Sequence, residues 1–244
     1  VGADTLILCY HAVSESWPAD LSLAPGDFER QIRRKLAAGY EGVTLKQSRA
    51  PGRPHRCLVV TFDDGYLSTL TVAAPILDRL GVPATLFVPS DYIGRDEPMA
   101  WPGIDRWLDG PHREELTPLD WEGVRTLAGN GWEIGSHTCS HPHLTGLPED
   151  ELARELRDSR ARIGAELGRE PDSVAYPYGD VDARVAAAAG AAGYALGAAL
   201  PARWTSDDNP MRLPRVGVYN GQGDLKLAIK TSPLVRRVRR LTGR

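Results

Sequence analysis

Cysteine is scarce in this 244-residue sequence: Cys9, Cys57 and Cys139 are the only three, an odd number with no paired spacing. A disulfide framework is therefore not the organising principle, and a reducing, cytoplasmic setting is the expectation. Long apolar runs are missing too; none reaches the ~20 residues that carry a helix across a bilayer. Neither charge sign dominates: 29 basic and 32 acidic residues give a net charge of -3 and a pI near 6.1, with no bulk attraction to nucleic acid. No internal repeat, low-complexity tract or linker divides the chain, so residues 1–244 read as one domain. The opening residues lack the basic-then-apolar layout of a signal peptide. Val1 is not an initiator Met, so secretion or a cell-envelope location is the alternative if a leader has been removed. The sequence does not address oligomeric state.

What is present is a regular alternation. Apolar runs at 6–10, 58–62, 83–88, 132–135, 173–176, 194–199 and 216–219 read as strands, with a shorter candidate at 41–45. Helical patterns lie between them: 27–38 with Asp27 as cap, 69–80 closed by Gly81, 119–129, 148–167, and the Ala-rich 181–192. Residues 90–117 read as a long irregular excursion, a candidate wall of a substrate site. Alternating strands and helices imply an α/β fold with a parallel sheet, and six to eight units in this length favour a barrel over an open sheet.

Polar residues follow four of the strands directly: His11, Asp63-Asp64-Gly65, His137 with His141, and Tyr178-Gly179. In a parallel barrel all strands end at one face, so these four distant segments should meet there. Adjacent carboxylates leaving a strand point in different directions, so one can bind a metal while the other takes a proton. The competing reading of Asp63-Asp64-Gly65 is a polar turn. Histidines four apart share one face of a helical turn, within reach of a single cation; solvated or capping histidines are the alternative. His143 reads as peripheral, and Cys139, between the two ligands, as pointing away from them. Two histidines and one carboxylate leave coordination positions open, as in catalytic rather than structural metal sites.

In order, Thr61-Phe62-Asp63-Asp64-Gly65, Ser136-His137-Thr138-Cys139-Ser140-His141 and Tyr176-Pro177-Tyr178-Gly179 resemble the motifs of the polysaccharide deacetylases of carbohydrate esterase family 4, the NodB-homology fold. Each motif alone is weak; three in order, each after a strand, are specific. The resemblance covers nearly the whole chain and implies a distorted (β/α)7 barrel. It implies Asp63 as general base, Asp64, His137 and His141 as metal ligands, and the Tyr178 backbone N–H as an oxyanion-hole donor. The sequence departs from the family pattern twice. Ala175 stands where many members carry an Arg two residues before the Pro of the third motif. The later histidine motif is not found near the C-terminus, and the chain opens instead with Leu8-Cys9-Tyr10-His11. That order is similar to the circularly permuted branch that includes the poly-N-acetylglucosamine deacetylases, and it implies His11 as general acid.

Arg215, just before the last strand, is the candidate substitute for the missing Arg. Trp101, Trp107 and Trp121 are candidate apolar faces for a sugar ring, against a core role. Residues 221–244 read as a basic helical tail. Its arginines Arg236, Arg237, Arg239 and Arg240 are a solvated face, or alternatively a peripheral contact with an anionic membrane. The expected activity is metal-dependent removal of N-acetyl groups from an amino-sugar glycan or glycoside, with Zn²⁺ the expected ion and Co²⁺ or Ni²⁺ compatible with the same ligands. The alternatives are an O-acetyl carbohydrate esterase and a non-catalytic carbohydrate-binding module.

Overall fold

The computed structural model describes residues 4–200 and 209–242. In chain order the strands are β1 (Asp4–Tyr10), the two-residue β2 (Ala12–Val13), β3 (Ser22–Leu23) and β4 (Glu41–Gly42), then β5 (Arg56–Phe62), β6 (Ala84–Val88), β7 (Glu133–Ser136), β8 (Ser173–Ala175), β9 (Leu196–Ala199), β10 (Leu213–Pro214) and β11 (Val216–Gly217). The helices are α1 (Pro25–Ala37), α2 (Ala74–Leu80), α3 (Trp121–Gly129), α4 (Glu149–Leu167), α5 (Ala183–Ala191), α6 (Asp224–Thr231) and α7 (Pro233–Thr242).

Every ladder of the main sheet is parallel, in the order β10-β9-β8-β7-β6-β5-β1-β11. Its two edges, β10 and β11, are consecutive in the chain and separated only by Arg215. Leu213 and Pro214 pair with Ala198 and Ala199 on one side, and Val216 and Gly217 pair with Leu8 and Cys9 on the other. The segment 213–217 thus closes the sheet on itself as the seventh staff of a (β/α) barrel. The expected strand at 216–219 is the second half of this closing segment.

Strand parity sorts the side chains. Leu6, Leu8, Leu58, Val60 and Phe62 face outward into the core shared with the helices. Ile7, Cys57, Val59, Phe87 and Leu213 fill the barrel interior. A side chain at Gly135 would meet the Phe87 ring at 2.5 Å, so glycine there lets Phe87 occupy the barrel axis. His11 shares the parity of Ile7 and Cys9, and Asp63 that of Val59 and Thr61. Both therefore enter the barrel mouth from strand ends.

Local departures from the expected elements have local causes. α1 starts at Pro25, which presets the first-turn φ, so Asp27 sits inside the first turn, not at the cap. The 69–80 helix opens with a π turn over Thr69–Ala73, just ahead of Pro75, which has no N–H for an α-helical bond. Only Glu41–Gly42 of the 41–45 candidate forms a ladder. Among the described residues, no helix is long and apolar enough to cross a membrane. Within the 221–244 tail the chain forms α6 and α7, but Arg236 is not on a solvated face. It is 2% exposed, and it bonds both carboxylate oxygens of Asp4, the Thr5 carbonyl and the Tyr40 hydroxyl. Arg236 is thereby removed from any surface patch. The side chain of Arg240 lies outside the described residues.

Candidate active site

The sequence-expected cluster assembles at the C-terminal mouth of the barrel, where a cleft of about 600 Å³ is lined by His11, Asp63, Asp64, His137, His141 and Tyr178 with an aromatic rim. One ligand atom each from Asp64, His137 and His141 lies within 4.8 Å of the others. Asp64 Oδ1 is 3.3 Å from His137 Nε2 and 3.4 Å from His141 Nε2, yet the contacts are not aligned as hydrogen bonds and this buried oxygen has no hydrogen-bond partner. Burial opposes ionisation of Asp64, but the two imidazoles outweigh it and hold the carboxyl well below its usual range. Burial also opposes a proton on His137; the Asp63 and Asp64 carboxylates outweigh it and raise its proton affinity. Burial pushes His141 down, toward the neutral imidazole that a metal requires. An unpartnered carboxylate oxygen facing two imidazole nitrogens in a negatively biased pocket fits a divalent cation.

The backbone here is strained. The non-glycine residues with positive φ among the described residues are Asp64 (72°), Thr138 (68°), His141 (63°) and Tyr178 (58°). Each such conformation costs on the order of 1 kcal/mol, and strain of this kind clusters at functional sites. The expected helical turn across 137–141 is absent. Left-handed Thr138 and His141 make a tight loop instead and bring both imidazoles to Asp64. The loop is held by side chains. Ser136 Oγ accepts from Thr138 N–H, Thr138 Oγ1 accepts from His141 N–H, and Glu155 on α4 accepts from the N–H of Cys139 and Ser140 and from the Ser140 hydroxyl. Cys139 points toward α4, with its thiol on the Glu155 carbonyl at 3.6 Å.

The two histidines are oriented differently. His137 Nδ1 bonds the Ala175 carbonyl at 2.8 Å, the usual support for a metal-binding imidazole. His141 Nδ1 is buried without a partner. Its ring is instead stacked on Trp101 (4.2 Å between centroids, 20° between planes) and meets the Tyr178 ring edge-on at 4.7 Å. Trp101 is braced by Tyr92 at 4.9 Å, so the 90–117 excursion forms the cleft wall and also holds the His141 ring. Trp107 joins Trp101 in the cleft, whereas Trp121 is core. His143 is peripheral, its exposed ring stacked on Tyr178 at 3.9 Å.

Arg215 reaches Asp63 with both terminal nitrogens: Nη1 donates to Oδ1 at 2.6 Å and Nη2 to Oδ2 at 2.7 Å. Nη1 also donates to Thr61 Oγ1 at 3.1 Å, and the guanidinium lies over the Phe87 ring. Burial alone would raise the Asp63 carboxyl, but the Arg215 charge outweighs it and lowers it to about 2. Cys9 places its thiol 3.4 Å from Asp63 Oδ2. His11 is buried at the cleft, its ring stacked at 6.4 Å with Tyr219, and its Nδ1 has no hydrogen-bond partner. Sequence reasoning missed Glu155, the Trp101–His141 stack and Tyr219.

Comparison with known proteins gives the family. The family model described as polysaccharide deacetylase matches residues 50–197. The chain belongs to the polysaccharide deacetylase family. The Bacillus subtilis protein YxkH, itself named for this family, is 28% identical over 223 residues, 88% of this chain and 71% of its own. A Staphylococcus aureus poly-beta-1,6-N-acetyl-D-glucosamine N-deacetylase is 24% identical over 170 residues; the match takes in 65% of this chain and 54% of that enzyme, little more than half its length. The structure of IcaB from Ammonifex degensii superposes with a TM-score of 0.75 at 25% identity, covering 93% of this chain and 96% of IcaB. The fold of this polysaccharide deacetylase is thus a nearly closed parallel barrel with outer helices, in line with the order expected from Tyr10-His11. His11 and Arg215 both lie outside the residues that the family model matches and reach the site through barrel closure.

Proposed function

We propose that this polysaccharide deacetylase removes N-acetyl groups from N-acetylglucosamine units of a glycan, using a divalent metal held by Asp64, His137 and His141. The observation that carries this reading is the convergence of those three buried ligand atoms within 4.8 Å, next to an ionised Asp63. A divalent ion at such ligands supplies Lewis acidity, polarising an acetyl carbonyl and lowering the pKa of water toward ~7. Zn²⁺ suits two imidazoles and a carboxylate, and Co²⁺ and Ni²⁺ are compatible with the same set.

The chain's own residues then have distinct tasks. Asp63 accepts a proton from the attacking water; with its carboxyl lowered to about 2 by Arg215 it is a weak base, suited only to a water that is already acidified. Arg215 fixes the plane of that carboxylate through its two-pronged contact. The backbone N–H of Tyr178 donates to the oxyanion that develops as water adds to the acetyl carbon. His11 donates a proton to the amide nitrogen as the C–N bond breaks, leaving acetate and a free amino sugar. Trp101, Trp107 and Tyr219 offer aromatic surface to a pyranose ring in the cleft. Similarity to the S. aureus enzyme favours polymeric N-acetylglucosamine as the substrate class.

The test is acetate release from β-1,6-linked N-acetylglucosamine oligomers by enzyme stripped with a chelator and refilled with Zn²⁺. Release should vanish on stripping and return on refilling. Undiminished release from stripped enzyme would refute the metal reading, and cleavage of O-acetylated xylan alone would refute the N-acetyl reading.

A further inference from the structure

Every charged residue after Asp224 is basic, from Lys226 to Arg244, in a chain whose net charge is -3. The fold gives this asymmetry a surface. On α6, Leu225 is 75% and Ile229 51% exposed; on α7, Leu234 is 70% exposed. Leu225, Ile229, Lys226 and Lys230 line one groove together with Arg239, so apolar and basic side chains of the two helices share a face. Lys226, Lys230, Arg237 and Arg239 make no ion pair with any described residue, whereas Asp224, at the start of α6, is taken up by Arg30 and Arg34 of α1. Lys226 and Arg239 sit close enough to depress the Lys230 ammonium, after burial of its stem. This face gathers unpaired positive charge around exposed leucine and isoleucine, the composition of a helix that lies in the plane of an anionic interface.

The buried Arg236 sets where the face sits. Its guanidinium binds Asp4 and the Thr5 carbonyl, which open β1, while the cleft lies beyond the other end of that strand at His11. Seven residues of strand span roughly 23 Å. α7 is therefore pinned to the opposite end of the barrel from the cleft.

We propose that the outer face of α6 and α7 docks on a bilayer containing anionic lipid, leaving the cleft directed away from the membrane. Apolar Leu225, Ile229 and Leu234 enter the headgroup boundary, and Lys226, Lys230, Arg237 and Arg239 meet the lipid phosphates. The cleft then receives glycan from the aqueous side, and docking does not depend on the reaction assigned to the site.

The experiment is co-sedimentation of the full chain with phosphatidylcholine vesicles, with and without phosphatidylglycerol, at low and physiological salt. Three proteins are compared: the unaltered chain, Lys230→Gln/Arg237→Gln, and Leu225→Ser/Leu234→Ser. The unaltered chain should bind only the phosphatidylglycerol vesicles, and less so at higher salt. Neutralising two cations should weaken the partition about thirtyfold, at roughly 1 kcal/mol per basic residue. The leucine variant should also lose binding, while thermal unfolding and hydrolysis of a soluble oligomer stay unchanged in both. Absence of binding to phosphatidylglycerol vesicles, or equal binding by all three proteins, would overturn the proposal. A solution dimer that Leu225→Ser/Leu234→Ser converts to monomer would assign the face to a second copy instead, and would overturn it equally.

Discussion

Replacing Arg215 by methionine keeps most of the side-chain volume and removes the charge that faces Asp63. The side chains of the pair are 0% and 3% exposed, so water cannot take the place of the guanidinium. Breaking a buried pair from one side costs about 3–5 kcal/mol, because the remaining charge is left uncompensated. In a chain of this length that corresponds to a fall in Tm on the order of 10 °C. The pH dependence separates charge from packing. In the unaltered protein the Asp63 carboxyl is lowered from 3.8 to about 2, so its contribution is fully present above pH ~4 and is lost as pH falls toward 2. In Arg215→Met burial is opposed only by the remaining pull of His137 and His11, so the carboxyl rises from that low value and the contribution present above pH ~4 is lost. Denaturant titrations of the metal-free proteins should therefore show a wide stability gap near pH ~7 and a narrow one near pH ~2. Adding Asp63→Asn to Arg215→Met should recover part of the lost stability while leaving turnover abolished. A gap of equal size at both pH values would refute the argument, since it would mean that Arg215 acts through packing alone.

Two further perturbations probe the ligand set. Trp101→Ala should weaken metal affinity about 10–100-fold by freeing the His141 ring, with Trp101→Phe restoring part of it; titration with Co²⁺ followed by visible absorption reads this without turnover, and unchanged affinity in Trp101→Ala would exclude the clamp. Glu155→Gln replaces an acceptor of three hydrogen bonds by a group that can accept only through one oxygen, so stability should drop by about 1–3 kcal/mol in denaturant titrations and metal affinity should fall with it. Full affinity in a destabilised Glu155→Gln would show that the 137–141 loop keeps its shape without α4.

The parts of the site legible in the sequence are those fixed by topology. Once strands 6–10, 58–62 and 132–135 are read as parallel, His11, Asp63 and His137 must emerge at one face, and strand parity turns the first two inward. What stayed hidden depends on backbone conformations that the residue types do not announce. A four-residue histidine spacing suits a helical turn and a left-handed loop equally. The choice falls on Thr138 and His141 because Ser136, Thr138 and Glu155 satisfy the loop's N–H groups, and Glu155 is 14 residues beyond His141 on a helix whose alternating charges look purely solvated. Arg215 could be placed near the last strand but not at the seam itself, because β10 and β11 are too short to register as strands and are defined by the partners they join.

The tail fails for a related reason. Arg236, Arg237 and Arg239 are chemically identical in sequence, and only the position of Asp4 at the start of β1 decides which of them turns inward. Long-range charge complementarity of this kind cuts across helical periodicity: Arg236 and Asp4 are 232 residues apart, and neither segment signals the other. A pair so placed ties the last helix to the first strand. That makes the position of α7 a property of the whole barrel, and it turns a run of arginines into one anchor and a separate exposed cationic face.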